Sequence, residues 1–366
     1  MSNKLRIAVF FGGKSAEHEV SLLSAKNIVS ALSKDKYEVV LIGIDKKGAW
    51  HLLNENNWLV NSDNPKTIAL NTKSATPVSI QPGWGDSSLI DSTTQKSLGH
   101  IDAVFPILHG PFGEDGTIQG IFKSVGIPFV GPGVLGSAIG MDKDVMKRLL
   151  RDAEIPIGKF LTFQHYQQES INFEDIEKEL GNPIFVKPAN MGSSVGISRA
   201  TDETSFNKAI KEAFLYDTKI IIEESIIGRE IECSVLGNET PKASIAGEIV
   251  PKKDFYSYDA KYIDDDGAGL EMPAKISDEV LIEVQKLAIK TFKVLCCEGL
   301  SRVDFFLTKE NKLLVNEINT LPGFTKISMY PKLWDISGIS YSELLDNLIN
   351  LAIQRFKRDS KIKVSA

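Results

Sequence analysis

Cysteine is scarce. The 366-residue chain has three, Cys233, Cys296 and Cys297, an odd and sparse set that excludes a disulfide framework and fits a reducing compartment. Positive charge is not in excess either: 42 Lys+Arg against 48 Asp+Glu give a formal net charge of −6, which gives no sign of a nucleic-acid partner. Long apolar runs are missing. The longest uncharged stretch, Ser124 to Met141, carries five Gly and two Pro, and that disqualifies it as a membrane span. Met1-Ser2-Asn3-Lys4 leads directly into an apolar run, so no secretory leader is expected and the chain reads as cytoplasmic. What is present is a 42% hydrophobic content, too high for a disordered chain, on a length that predicts two or three domains.

Apolar runs at Leu5 to Phe11, Tyr37 to Ile44 and Ile101 to Ile107 alternate with helical text, first at about Glu19 to Leu32. Such alternation predicts an α/β unit with a parallel sheet and crossover helices. Residues 53–98, rich in Asn, Ser, Thr, Asp and Pro, read as an insertion or long surface excursion. The run Ile127 to Val130 closes this unit before Gly131-Pro132-Gly133. A second unit holds a helix at about Lys143 to Ala153, strands near Lys159 to Phe163, Ile184 to Lys187 and Lys219 to Glu224, and a helix at about Thr204 to Phe214. A third opens with strand Glu230 to Leu236 and carries a polar loop of residues 251–273. A helix at about Asp278 to Leu295 then leads to a hairpin, Arg302 to Leu307 and Lys312 to Asn319. Ser340 with Glu343 caps the last helix. The boundaries fall at 1–131, 132–225 and 226–366.

Two glycine patterns need separating from real nucleotide loops. Gly12-Gly13-Lys14-Ser15 ends like a P-loop, but the motif's first glycine would fall on Ala8, so the loop cannot wrap a phosphate. Gly131, Gly133 and Gly136 match the dinucleotide spacing, yet the next strand ends without an acid for a ribose hydroxyl. A glycine-rich interdomain turn is the simpler reading, and a nicotinamide-dependent oxidoreductase is the alternative from another class.

The hairpin carries more. With its tip at Glu310-Asn311, paired residues sum to 621, so Asp304 faces Glu317, and Asn319 shares their face with Val315 leading inward. Two opposed carboxylates repel unless a cation or proton intervenes. Hard oxygen donors with no His or Cys beside them point to magnesium shared with substrate phosphates. The adjacent Thr320-Leu321-Pro322-Gly323 turns tightly at the strand end. Elsewhere, Lys187 precedes the small-residue loop Gly192-Ser193-Ser194-Val195-Gly196, whose backbone N–H groups suit phosphate oxygens. Glu223 and Glu230 flank a connection and suit adenine or ribose donors. Arg302 stands beside the metal acids as a charge partner or an oxyanion donor. The aromatic run Phe255 to Tyr262 in a polar loop reads as a closing lid.

These segments together resemble the D-alanine–D-alanine ligases of the ATP-grasp superfamily. The resemblance rests on Gly12-Gly13 with Ser15-Ala16-Glu17 and Glu19-Val20-Ser21; on His109-Gly110 with Gly113-Glu114-Asp115-Gly116; and on Met141-Asp142-Lys143. It continues through Lys187-Pro188, Gly192 to Gly196, Gly228-Arg229-Glu230, Tyr258 to Tyr262, Arg302-Val303-Asp304, Asn316 to Thr320 and Pro322-Gly323. The series is co-linear over nearly the whole chain. It implies an N-terminal α/β domain and two ATP-grasp subdomains that clamp ATP. The implied reaction activates one D-alanine carboxylate as an acyl phosphate, which the amine of a second D-alanine attacks, giving a peptidoglycan precursor.

By the same resemblance Asp304, Glu317 and Asn319 hold two magnesium ions, with manganese an acceptable substitute. Lys143, Lys187 and Lys261 contact phosphates, while Glu223, Glu230 and Phe255 belong to the nucleotide site. Glu17 takes the ammonium of the first D-alanine, with Ser193 and Tyr262 in a hydrogen-bonded chain to it, and His109 lies near that substrate. Arg302 and the Gly323 amide form the oxyanion hole, and Ser328 with Met329 receives the second carboxylate. Tyr262 favours an amide product over the D-lactate ester made by some relatives; a D-alanine–D-serine or D-alanine–D-lactate ligase is the near alternative. No nucleic-acid or membrane partner is implied, and a homodimer is the expected assembly.

Overall fold

The structure, a computed structural model, describes residues 4–251 and 268–363. Its strands form three larger sheets, of seven, four and five strands, and a two-stranded ribbon. In the first, Leu5–Gly12 lies between Tyr37–Ile44 and Ala103–Ile107, all parallel. Ile7, Val9 and Phe11 point to one core, and Ala8 and Phe10 to another. A central strand covered on both faces must be apolar at both alternations, which explains its unbroken hydrophobic run. Helix His18–Ala31 buries Leu22, Ala25 and Ile28 against the first face. Helix Thr117–Val125 buries Ile118 and Phe122 against the other. Each such side chain contributes roughly 1.5–3 kcal/mol.

Residues 53–98 are not a mere excursion. Strands Thr76–Ile80, Leu89–Asp91 and Lys96–Ser97 extend the first sheet antiparallel, beyond Trp50–Leu52. They run only two to five residues, too short to leave a clear period in the sequence. The run Ile127 to Val130 makes a single parallel bridge, Phe129 to Val104, rather than a strand.

The four-stranded sheet, Phe160–Gln164, Lys219–Glu224, Ile184–Pro188 and Ser198–Ala200, is antiparallel. Helices Phe173–Leu180 and Glu203–Ala213 cover one face through Ile176, Leu180, Phe206 and Ile210. Ile184, Val186, Ile220 and Ile222 point into that core, so the alternation sends Lys187 and Glu223 to the opposite face. The five-stranded sheet runs Ala268–Glu271, Lys242–Pro251, Arg229–Gly237, Gly299–Leu307 and Leu313–Asn319. Helix Asp278–Val294 packs on the face bearing Ile231, Cys233, Val303 and Phe305, which leaves Glu230, Glu232, Arg302 and Asp304 on the other.

Helix Tyr341–Asp359 returns to the first sheet, placing Leu344, Leu345 and Leu348 in the same core as Ile7 and Phe105. Its buried Arg355 donates to the carbonyls of Phe129 and Gly131. Neither glycine decoy cradles a phosphate. A Cβ on Gly12 would fall 2.2 Å from the Ile44 carbonyl oxygen. Gly136 lies in helix Val134–Met141, where a Cβ would fall 2.5 Å from the Cys296 carbonyl oxygen. Close backbone approach is what these glycines permit.

Candidate active site

A cavity of about 370 Å³ opens between the three larger sheets, reached by Glu17, Lys143, Ser193, Glu230, Asp304 and Glu317. Glu17 precedes the first helix and is 6% exposed. The Ser193 hydroxyl donates to its Oε1, joining the first unit to the small-residue loop. That loop holds Ser193 and Ser194 at φ of 50° and 61°, a left-handed pair that brings Gly192 against the Glu17 carboxylate. Lys143 opens helix Lys143–Asp152, donates to the Met191 carbonyl at 2.7 Å and stands 3.8 Å from Glu317.

Lys187 lies 2.5 Å and Lys147 2.8 Å from the two oxygens of Glu223. Burial would raise the Glu223 carboxyl, but the two ammonium groups outweigh it and hold it down to about 2. Burial would likewise depress Lys187; Glu223, helped by Glu317 and Glu230, raises it instead. Glu223 is thus a buried ion-pair partner of two lysines in this structure, while Glu230 lines the cavity.

The acids of the hairpin stand as expected: Asp304 pairs with Glu317 and Arg302 with Asn319. The turn does not. Thr308 N–H donates to Lys312 and Asn311 N–H to Thr308, with Asn311 at φ 59°, so the tip is three residues and pairs near it sum to 620. A bulge at Asn316 restores the other register. It also puts Val315 in the core rather than on the face of Glu317. Asn319 Oδ1 is buried with no hydrogen-bond partner among the described residues, an acceptor that wants a cation. The Arg302 guanidinium grips Asp304 through Nε and Nη2, both at 2.7 Å, and lies 2.9 Å from Glu232.

His109 sits beneath the strand-end loop rather than on the cavity wall. Its Nδ1 lies 3.0 Å from the Leu321 carbonyl oxygen and its Nε2 3.5 Å from Ser24 Oγ. Burial pushes the imidazole down to about 4, against the pull of the Leu321 carbonyl, so the ring is neutral at pH 7 and donates through Nδ1. Ser24 Oγ also accepts the Phe324 N–H, and Glu114 accepts those of Gly110 and Leu321. Burial and the Glu17 carboxylate raise Glu114 well above the usual range. Gly323 lines the cavity beside Ser328 and Met329. Ser328 precedes helix Met329–Ile336, with its Oγ turned back to Thr325 at 3.0 Å instead of capping that helix. Lys261, Tyr262 and Phe255 lie outside the described residues.

Glu114, Glu232 and Lys332 also line the cavity, and Lys147 pairs with Glu223; none was singled out from the sequence. Lys147 follows Lys143 by one helical turn, and Glu232 follows Glu230 by one strand period, so both had a local signal. Glu114 stands inside a quoted motif, and Lys332 one turn into a helix the sequence did not reveal.

Sheets of this kind closing on a cavity of lysines and acids define the ATP-grasp class of ligases. Two family models agree: residues 6–132 match the D-ala D-ala ligase N-terminus and 149–350 the D-ala D-ala ligase C-terminus. The chain is 54% identical over 362 residues to the D-alanine–D-alanine ligase of Oceanobacillus iheyensis, covering 99% of each. It is 52% identical over 362 residues to D-alanine–D-alanine ligase A of Escherichia coli K12, again covering 99% of each. Among solved structures, the D-alanine–D-alanine ligase of Coxiella burnetii superposes with TM-score 0.85 at 40% identity, covering 98% of this chain and 97% of that one. The VanG D-Ala:D-Ser ligase of Enterococcus faecalis superposes with TM-score 0.84 at 36% identity, covering 96% and 100%. The chain belongs to the D-alanine–D-alanine ligase family.

Proposed function

We propose that this chain joins two D-alanines into D-alanyl-D-alanine at the expense of ATP, for peptidoglycan precursor synthesis. The family works on ATP with a divalent metal. One D-alanine carboxylate oxygen attacks the γ-phosphorus and ADP leaves. The amine of the second D-alanine attacks the resulting acyl phosphate, loses a proton, and expels phosphate. The observation that carries this reading is the Ser193 hydroxyl on the Glu17 carboxylate, in the lining of a cavity that Asp304 and Glu317 also line. An acid suited to an ammonium and acids suited to a cation thus line one space of substrate size.

Glu17 holds the first ammonium, oriented by Ser193 and Tyr262. Lys143, Lys187 and Lys261 neutralise the phosphates, with Glu223, Glu230 and Phe255 around the nucleoside. Asp304, Glu317 and Asn319 fit two Mg2+ ions: their donors are hard oxygens, and the buried Asn319 Oδ1 lacks another partner among the described residues. Bound there, the metal supplies charge neutralisation at the phosphate oxygens. Arg302 and the Gly323 amide offer donors to the oxyanion that develops on amine attack. The Met329 N–H, at a helix start with no side-chain cap, and the Ser328 hydroxyl beside it suit the second carboxylate. His109 stands close behind the first-substrate region through its hold on Leu321. The chain divides at about 131 and 225 and acts in the cytoplasm as a homodimer; among the described residues no helix is long and apolar enough to cross a membrane.

The acceptor is tested by supplying D-alanine, D-serine and D-lactate together at equal concentration and separating the products. D-alanyl-D-alanine is expected to dominate. Predominance of the D-serine or D-lactate product would replace this reading with the near alternative.

A further inference from the structure

The register of the five-stranded sheet brings a third acid to the proposed metal wall. Glu232 pairs with Asp304 across one strand boundary, and Asp304 with Glu317 across the next. The three carboxylates therefore stand in one row on one face, and like charges directly opposed on a sheet are destabilising. Glu232 is 4% exposed, so water does not screen it. Arg302, in the neighbouring row beside Asn319, is shared between two of them: Nε and Nη2 donate to Asp304, while Nε lies 2.9 Å from Glu232.

A guanidinium forked onto Asp304 occupies both oxygens of a carboxylate that a cation would need. We infer that Glu232 is a positioning residue: it takes up Arg302 when Asp304 turns to a divalent cation. Without a buried acid behind it, Arg302 would compete with the cation for Asp304. With Glu232 there, the guanidinium keeps a partner and stays at the cavity wall. Glu232 itself touches neither metal nor substrate. This deepens the functional reading above and rests on it for the catalytic consequence only; the competition for Asp304 does not depend on which amino acids are ligated.

The test is a double-mutant cycle on Mn2+ affinity, measured on the whole, nucleotide-free enzyme by electron paramagnetic resonance of free Mn2+. Glu232→Gln is expected to weaken Mn2+ about tenfold when Arg302 is present. Arg302→Ala is expected to tighten it, and Glu232→Gln in that background to change it less than about twofold. Arg302→Gln gives a second background should the alanine variant fail to fold. Turnover of Glu232→Gln should fall about tenfold, with the KM for D-alanine held within about twofold. Equal weakening in both backgrounds would make Glu232 a direct ligand or a bulk charge and overturn the inference. No weakening, or no Mn2+ binding by the unmodified enzyme, would overturn it as well. Failure to ligate D-alanine alongside the expected Mn2+ cycle would sink the functional reading instead.

Discussion

Glu317→Ala is expected to abolish turnover while leaving the fold intact. Glu317 faces Asp304 across the hairpin and stands 3.8 Å from Lys143. Losing it removes one of the carboxylates proposed to hold the metal. Charge stabilisation worth about 4 kcal/mol at the transferring phosphoryl group corresponds to roughly a thousandfold in rate. Stability should change little, because the deletion also relieves the repulsion between opposed acids. Phosphate release and a thermal melt on the same preparation separate the two effects. Turnover near that of the unmodified enzyme would remove Glu317 from the metal site; collapse of the melt would give it a structural role.

Glu223→Ala is expected to act the other way, on stability first. Glu223 holds two lysines, and Lys147 is 3% exposed. Deleting the acid strands both ammonium groups in the interior, a loss typically of about 3–5 kcal/mol. Lys187→Ala leaves Glu223 paired with Lys147, so it should cost less stability while raising the KM for ATP. The pH dependence follows from the depressed carboxyl. Its folded pKa, about 2, lies below the ordinary value of 4.5, so its contribution is present above pH 4.5 and is lost as pH falls toward 2. Urea melts across that window should show the unmodified enzyme losing stability that Glu223→Ala never had. Parallel curves for the two would contradict the buried triad.

Much of this was legible in the sequence, for uneven reasons. The strand Tyr37–Ile44 follows from its apolar run, and the last helix from the Ser340 cap that the structure contains. The opposition of Asp304 and Glu317 was legible too, although the turn was placed one residue off. The bulge at Asn316 cancels that error before the register reaches the acids. Residues 53–98 were opaque because short antiparallel strands at a sheet edge need little apolar alternation. Glu232 shares the face of Glu230 by strand period, but its row with Asp304 was opaque for another reason. Its row exists only because Arg229–Gly237 pairs with Gly299–Leu307, a contact across the intervening helix that no local pattern encodes. His109 carries a recognisable motif, but its partner, the Leu321 carbonyl, is set by how the first and third sheets dock.

Coupled phosphate release from ATP, with D-alanine and L-alanine compared at equal concentration, tests the central claim most directly. The arrangement of Glu17, Ser193 and the acid wall predicts metal-dependent release with D-alanine and none above background with L-alanine. Equal release with both isomers, or none with D-alanine, would contradict it.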